Sequence, residues 1–207
     1  MFNVTKSEIP AGDFKYTDEA IKAQIKEDFF YKCYLCEEKT PRHLEVEHFY
    51  PQRYFPKKKH DWNNLICICE KCNKIRPKKI NTGEEDAVLN PCKDNVESLI
   101  QLQYNVIDYS ISVRSGNATT IINNTIGLLN KIHNGTDSLS YSFTDLRKLI
   151  AAELTELEEE IYNLSMYNLE NVFTKRIKKR LSRQSAFTAI KKTFISENYP
   201  AFKKLFD

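Results

Sequence analysis

Two cysteine pairs set the strongest limit on what this chain can fold into. Cys33-Tyr-Leu-Cys36 and Cys69-Glu-Lys-Cys72 are matched C-x2-C knuckles with 32 residues between them. A two-residue spacer turns the backbone so that both sulfurs face one side. Two such knuckles can close a tetrahedral zinc shell with Zn–S bonds of about 2.3 Å. A redox C-x-x-C would occur once rather than as a matched pair. The start MFNVTKSEIPAGDF has no basic stretch followed by an apolar one. No apolar run approaches the roughly 18 residues of a membrane span. The expectation is a chain of the reducing cytoplasm whose six cysteines stay thiols, with no membrane partner. Cys67 is expected to point into the core, and Cys92 has no partner at ligand spacing. A shell of four cysteines leaves no open coordination position, so a zinc here would hold the fold without activating water.

With 207 residues, 41% of them hydrophobic, the chain suffices for one moderate domain or two small ones. Ile21, Ile25 and Phe29 recur at helical spacing between Thr17 and Tyr31, with Thr17 as the cap. Residues 42–47 read as a short strand, 65–69 as a second, and 70–79 as a short helix interrupted at Pro77. The order between the knuckles is turn, strand, loop, strand, helix. A hairpin is expected from 99–104 and 106–114 around Asn105, then a helix over 120–130. A long helix over 143–168 is expected from the three-four spacing of Leu146, Leu149, Ile150, Leu154, Leu157, Ile161 and Leu164, with Thr144 as cap. The C-terminal third reads as helical to Pro200. The fold class expected is α+β, mainly helical. Its domains would be 1–92, an N-terminal helix with the knuckled core, and 93–207, a mostly helical region for packing, partner or substrate contact.

The formal charge of +3 conceals an uneven distribution. Residues 143–171 carry seven acidic and two basic side chains, whereas 172–207 carry ten basic and two acidic ones. Lys175, Arg176, Lys178 and Lys179 lie in this tail and are candidate nucleic-acid contacts, while Ile177 and Leu181 are expected to be buried beneath them.

Between the knuckles stand Glu45-Val46-Glu47-His48-Phe49-Tyr50-Pro51, Asp61-Trp62-Asn63-Asn64-Leu65 and Cys72-Asn73-Lys74. This pattern resembles the HNH nuclease family: an acidic-His pair ends the first strand, an Asn opens the second, and a His or Asn follows the last zinc cysteine. The resemblance implies a zinc-stapled ββα-metal core. Glu47 and Asn73 would be ligands of a catalytic divalent cation, Mg²⁺ or similar, His48 the general base, and Asn64 the residue that orients the base loop. Glu47 stands where Asp is commoner and Asn73 where His is commoner. Read over Cys33 to Lys74 the chain is similar to the HNH subunits of Septu anti-phage systems, which also occur in some retron loci. That likeness implies a PtuA-like ATPase partner, with Lys74, Arg76, Lys78 and Lys79 approaching nucleic-acid phosphates.

The residue types suit that chemistry without a family name. Phosphodiester hydrolysis needs a base titrating near neutral pH and a cation to offset charge on the phosphorane. One carboxylate and one amide suit Mg²⁺, which keeps waters and takes a phosphate oxygen. Glu47 and His48 would face opposite sides of a regular strand, so the strand is expected to end between them. Asn63 competes with Asn64 for the orienting role, Trp62 reads as a core anchor, and His43 and His60 have no expected part. The function expected is a metal-dependent endonuclease acting on DNA, with RNA possible, as the effector of a Septu-like defence complex. The alternatives are a stand-alone HNH restriction endonuclease and a noncatalytic zinc module that binds nucleic acid.

Overall fold

A computed structural model describes residues 1–10, 14–135, 141–166 and 170–205. At its centre is an antiparallel hairpin of β1 (Leu44–His48) and β2 (Leu65–Cys69), paired from Leu44 opposite Cys69 to His48 opposite Leu65. Because strand side chains alternate, Leu44, Val46 and His48 share one face with Leu65, Cys67 and Cys69, while Glu45 and Glu47 share the other with Ile66 and Ile68. The unbroken apolar run of β2 is buried along its whole length. Helix α1 (Glu19–Asp28) packs against the hairpin, burying Ile21 and Ile25, and the Cys67 thiol donates to the Ile25 carbonyl at 3.6 Å. Cys67 is thus the core residue expected. Asp18, not Thr17, takes the α1 N-cap position.

Helix α2 (Glu70–Ile75) follows β2 without a loop and stops before Pro77, whose ring disfavours helical geometry in the residue before it. A four-residue helix, α3 (Val96–Leu99), leads to a second hairpin, β3 (Gln101–Tyr104) and β4 (Ile111–Arg114). The sequence placed its turn at Asn105 alone; the turn spans 105–110 and takes Val106 and Ile107 out of the strand. Thr119 caps α4 (Thr120–Asn134) through the Ile122 N–H. The long helix α5 (Tyr141–Met166) begins before Thr144, so Thr144 lies inside the helix; positions 167 and 168 of the expected range are outside the described residues. Helices α6 (Glu170–Leu181) and α7 (Thr188–Asn198) complete the fold, followed by a 3-10 segment, Pro200–Leu205.

The chain is therefore α+β and mainly helical, with a knuckled ββα core between an N-terminal helix and C-terminal helices. Its principal core draws on residues from Met1 to Phe194, on both sides of Cys92, and a smaller one joins Leu157 and Ile161 of α5 to Ile177 and Leu181 of α6 and Ile195 of α7. Glu37, directly after the first knuckle, is buried with its carboxylate 2.8 Å from the Met1 amino group and 3.7 Å from Lys32. It also accepts the Ala189 N–H, and its carbonyl accepts from Phe187. A buried acid with these partners ties the first knuckle to the start of α7. Among the described residues no helix is long and apolar enough to cross a membrane.

Candidate active site

The sulfurs of Cys33, Cys36, Cys69 and Cys72 are all buried and lie within 4.8 Å of one another. A tetrahedron with bonds of about 2.3 Å has edges of about 3.8 Å, so this spacing fits a zinc site. The knuckle closes through Glu37 N–H to Cys33 O and Cys33 N–H to Glu38 O, and Glu37 takes a φ of 60° to complete the turn. The Cys72 N–H points at the Cys69 sulfur. Sulfur–sulfur hydrogen bonds and burial push the Cys36 and Cys72 thiols well above the ordinary cysteine range. Sulfurs packed this closely would ionise together only around a cation, so the donor set fits a soft divalent metal.

His48 is the last residue of β1 and pairs with Leu65, so the strand does not end between Glu47 and His48 as expected. Their side chains leave opposite faces at the strand end. His48 is 4% exposed; its Nε2 lies 2.9 Å from the Lys59 carbonyl, and the Tyr16 ring meets the imidazole edge-on at 4.7 Å between centroids. A carbonyl only accepts, so Nε2 carries the proton in the neutral ring. Nδ1 is then the atom with a free lone pair.

The loop after His48 is fixed from two sides. Asn64, buried at the head of β2, accepts the Tyr50 N–H at 2.7 Å and donates to the carbonyls of Tyr50 at 3.0 Å and Lys58 at 3.1 Å. Its own carbonyl accepts the Phe49 N–H. Of the two adjacent asparagines, only Asn64 reaches the loop; Asn63 is exposed, and its N–H is taken by the Asp61 carboxylate in a 3-10 turn. From the other side Asn81, at a φ of 56°, donates to the Phe49 carbonyl at 3.0 Å and accepts the Val88 N–H. Trp62 is the buried anchor expected and donates to the Ser7 carbonyl, while the Lys6 amino group bonds the carbonyls of Trp62 and Leu65 on either side of Asn64. Burial lowers the Lys6 pKa to about 8.

On the other face, α2 brings Asn73 to the hairpin. Its Nδ2 donates to Glu45 Oε2 at 3.2 Å, which leaves the amide oxygen free for another partner. Glu47 is half-buried two residues along the same face. Two carboxylates and an amide oxygen on one face are hard donors that fit a small divalent cation. Arg76 donates from Nη1 to the His48 carbonyl at 3.1 Å, so this residue braces the strand end. Burial raises the neighbouring Tyr34 hydroxyl to about 12. Lys74 pairs with Glu70, whereas Lys78 and Lys79 are exposed beyond α2. Lys175, Lys178 and Lys179 are exposed on α6, where Arg176 pairs with Glu160 at 3.7 Å; Ile177 and Leu181 are buried as expected.

Sequence reasoning missed Tyr16, Glu45, Asn81 and the Lys59 carbonyl. Asn81 sits in the turn-like Ile80-Asn81-Thr82-Gly83, a signal for positive φ that does not reveal which carbonyl the amide will hold. Backbone groups such as that of Lys59 carry no residue-type signal.

Residues 33–79 match the family model described as HNH endonuclease. The chain is 26% identical over 182 residues to Septu protein PtuB of Bacillus thuringiensis, an alignment covering 86% of this chain and 65% of that protein. It is 30% identical over 112 residues to Septu protein PtuB of Bacillus mycoides strain KBAB4, covering 39% of this chain and 37% of that protein. The chain thus spans less than two thirds of the length of these curated relatives. Residues 33–79 thus match the HNH endonuclease family model, within a chain similar to a Septu protein PtuB over most of its length.

Proposed function

We propose that the chain is a metal-dependent endonuclease and the nuclease effector of a Septu-like defence complex in the cytoplasm, held in check by a PtuA-like ATPase. The observation that carries this reading is His48, whose Nε2 is held by the Lys59 carbonyl at the strand end that also presents Glu47. A zinc-stabilised binding module needs no histidine with an oriented ring and no acidic pair on the opposite face of the same strand. Similarity to two PtuB proteins favours the defence effector over a stand-alone restriction endonuclease.

In this reading Cys33, Cys36, Cys69 and Cys72 hold a structural zinc, and Glu47 with the Asn73 amide oxygen hold the catalytic cation. When bound, that cation would supply positive charge beside the developing phosphorane and leaving oxygen. His48 Nδ1 takes the proton of the attacking water, and the Lys59 carbonyl steadies the imidazolium that forms. Asn64 and Asn81 keep the loop carrying that carbonyl from yielding. DNA is the favoured substrate, since the proposed base acts on water and needs no 2′-hydroxyl; RNA is the other arm of the test. Lys74, Arg76, Lys78 and Lys79 on and beyond α2 are the proposed phosphate contacts nearest Asn73.

The experiment is cleavage of DNA and RNA panels with and without Mg²⁺, by the chain alone and with an associated ATPase, alongside elemental analysis. The reading expects Mg²⁺-dependent strand cleavage, about one tightly held zinc per chain, and ATPase-dependent restraint. A folded protein with zinc but no cleavage in either setting would favour the binding module. Zinc-free folded protein would contradict the knuckle assignment.

A further inference from the structure

The segment between His48 and Asn64 has a property that the proposed chemistry does not use. Residues 51–60 contain Arg53, Lys57, Lys58 and Lys59 and no acidic residue. By contrast the α5–α6 pair over 141–181 contains seven acidic and seven basic side chains. There Arg176 reaches Glu160 at 3.7 Å, and Arg180 reaches Glu156 at 2.7 Å and Glu153 at 3.8 Å. At physiological salt, charges further apart than about 8 Å are screened. A phosphate near Arg176 and Arg180 therefore meets guanidinium groups already paired with carboxylates, whereas one near 51–60 meets basic side chains with no carboxylate among the loop residues.

The loop is also built to present its charges. It is closed internally by Phe55 N–H to Pro51 O and Lys58 N–H to Phe55 O, and it is clamped by Asn64 to Tyr50 and Lys58. Lys58 is committed to packing, its ammonium 4.0 Å above the Tyr50 ring. Arg53, Lys57 and Lys59 are exposed, and among the described residues none lies within 4 Å of a carboxylate. Lys59 contributes twice, since its carbonyl holds His48 while its side chain reaches into solvent beside Tyr16.

We propose that Arg53, Lys57 and Lys59 form the principal nucleic-acid backbone contact of this chain, on the loop that positions His48. The inference rests on the nuclease reading and gives that site its substrate track. Contacts made on the loop place the substrate next to the base, and the same loop limits how far the imidazole can shift.

The test is fluorescence anisotropy of labelled duplex DNA and of single-stranded RNA, as a function of salt, in a His48→Ala background that cannot turn substrate over. Combined Arg53→Gln, Lys57→Gln and Lys59→Gln should weaken duplex binding about ten-fold or more and reduce the slope of log K against log salt by about two to three, at about 0.9 per phosphate contact. Lys57→Gln alone should reduce that slope by about one, and zinc content confirms that each variant is folded. Lys175→Gln with Lys178→Gln and Lys179→Gln should reduce the slope by less than the loop variant does. Unchanged binding in the loop variant, or the larger loss in the α6 variant, overturns the proposal while Mg²⁺-dependent cleavage by the wild type keeps the nuclease reading intact. Wild-type protein that neither binds nor cleaves either nucleic acid overturns both.

Discussion

His48 Nε2 lies 2.9 Å from the Lys59 carbonyl, and Lys59 sits on a loop whose neighbouring carbonyl, that of Lys58, is held by Asn64 at 3.1 Å. His48, the proposed base, is thus fixed indirectly by a buried amide that makes three hydrogen bonds to one loop. Asn64→Ala should lower kcat with little change in metal affinity, because the carbonyl that orients His48 would wander. It should also destabilise the fold by about 3 kcal/mol, near 1 kcal/mol for each bond lost. Chemical denaturation together with the kcat against KM split checks this. A variant stable and fully active would remove Asn64 from the site.

Glu45 and Asn73 give a second test. The Glu45 carboxylate can only accept, so it holds the Asn73 amide nitrogen and leaves the oxygen for a cation. Glu45→Ala frees the amide to flip and should weaken Mn²⁺ binding about five-fold, the equivalent of one hydrogen bond near 1 kcal/mol. Glu45→Gln retains an acceptor and should recover much of that loss. Electron paramagnetic resonance of bound Mn²⁺ reads both without any turnover. Equal affinities in all three proteins would contradict the assignment.

Acid stability should depend on Glu37. Burial opposes its ionisation, yet the Met1 amino group and Lys32 hold its pKa at about 2, down from 4.5. Lys32, itself lowered to about 8 by burial, remains charged at neutral pH. A depressed carboxyl stabilises the fold above its unfolded pKa and loses that contribution as pH falls through the folded value. The contribution here is on the order of 3 kcal/mol, lost progressively between pH 4.5 and about 2. Glu37→Gln should cost about 3–5 kcal/mol at neutral pH by stranding buried Lys32, and the difference from wild type should shrink across that acid window. Denaturant unfolding measured from pH 6 downward checks the sign.

The cysteine cluster and its surrounding core were legible because a metal shell needs particular residue types at fixed spacing. The knuckles announced the cysteine cluster, and Cys67 and Trp62 were placed in the core by the apolar run and the turn around them. Strand ends were less legible. His48 was expected past the end of β1, but the cross-strand partner Leu65 extends the ladder by one residue, and nothing local to His48 encodes that. Tyr16, Lys6 and Asn81 act on the site from distant positions in the chain, so only the folded structure brings them to the loop. Charge was legible as a count but not as pairing: the tail's basic residues can be counted from the sequence, but only the fold sets Glu160 against Arg176 and Glu153 and Glu156 against Arg180.

The most direct test of the central claim is the cleavage rate of His48→Ala in protein cleared of contaminating nucleases, measured under the conditions in which the wild type is active. The account expects turnover to fall by at least about a hundred-fold, as loss of a general base does, with zinc content, Mn²⁺ affinity and nucleic-acid binding retained. Added Mg²⁺ should not restore activity, since the missing step is proton transfer, while added imidazole should restore part of it. Cleavage by His48→Ala at the wild-type rate would contradict the account.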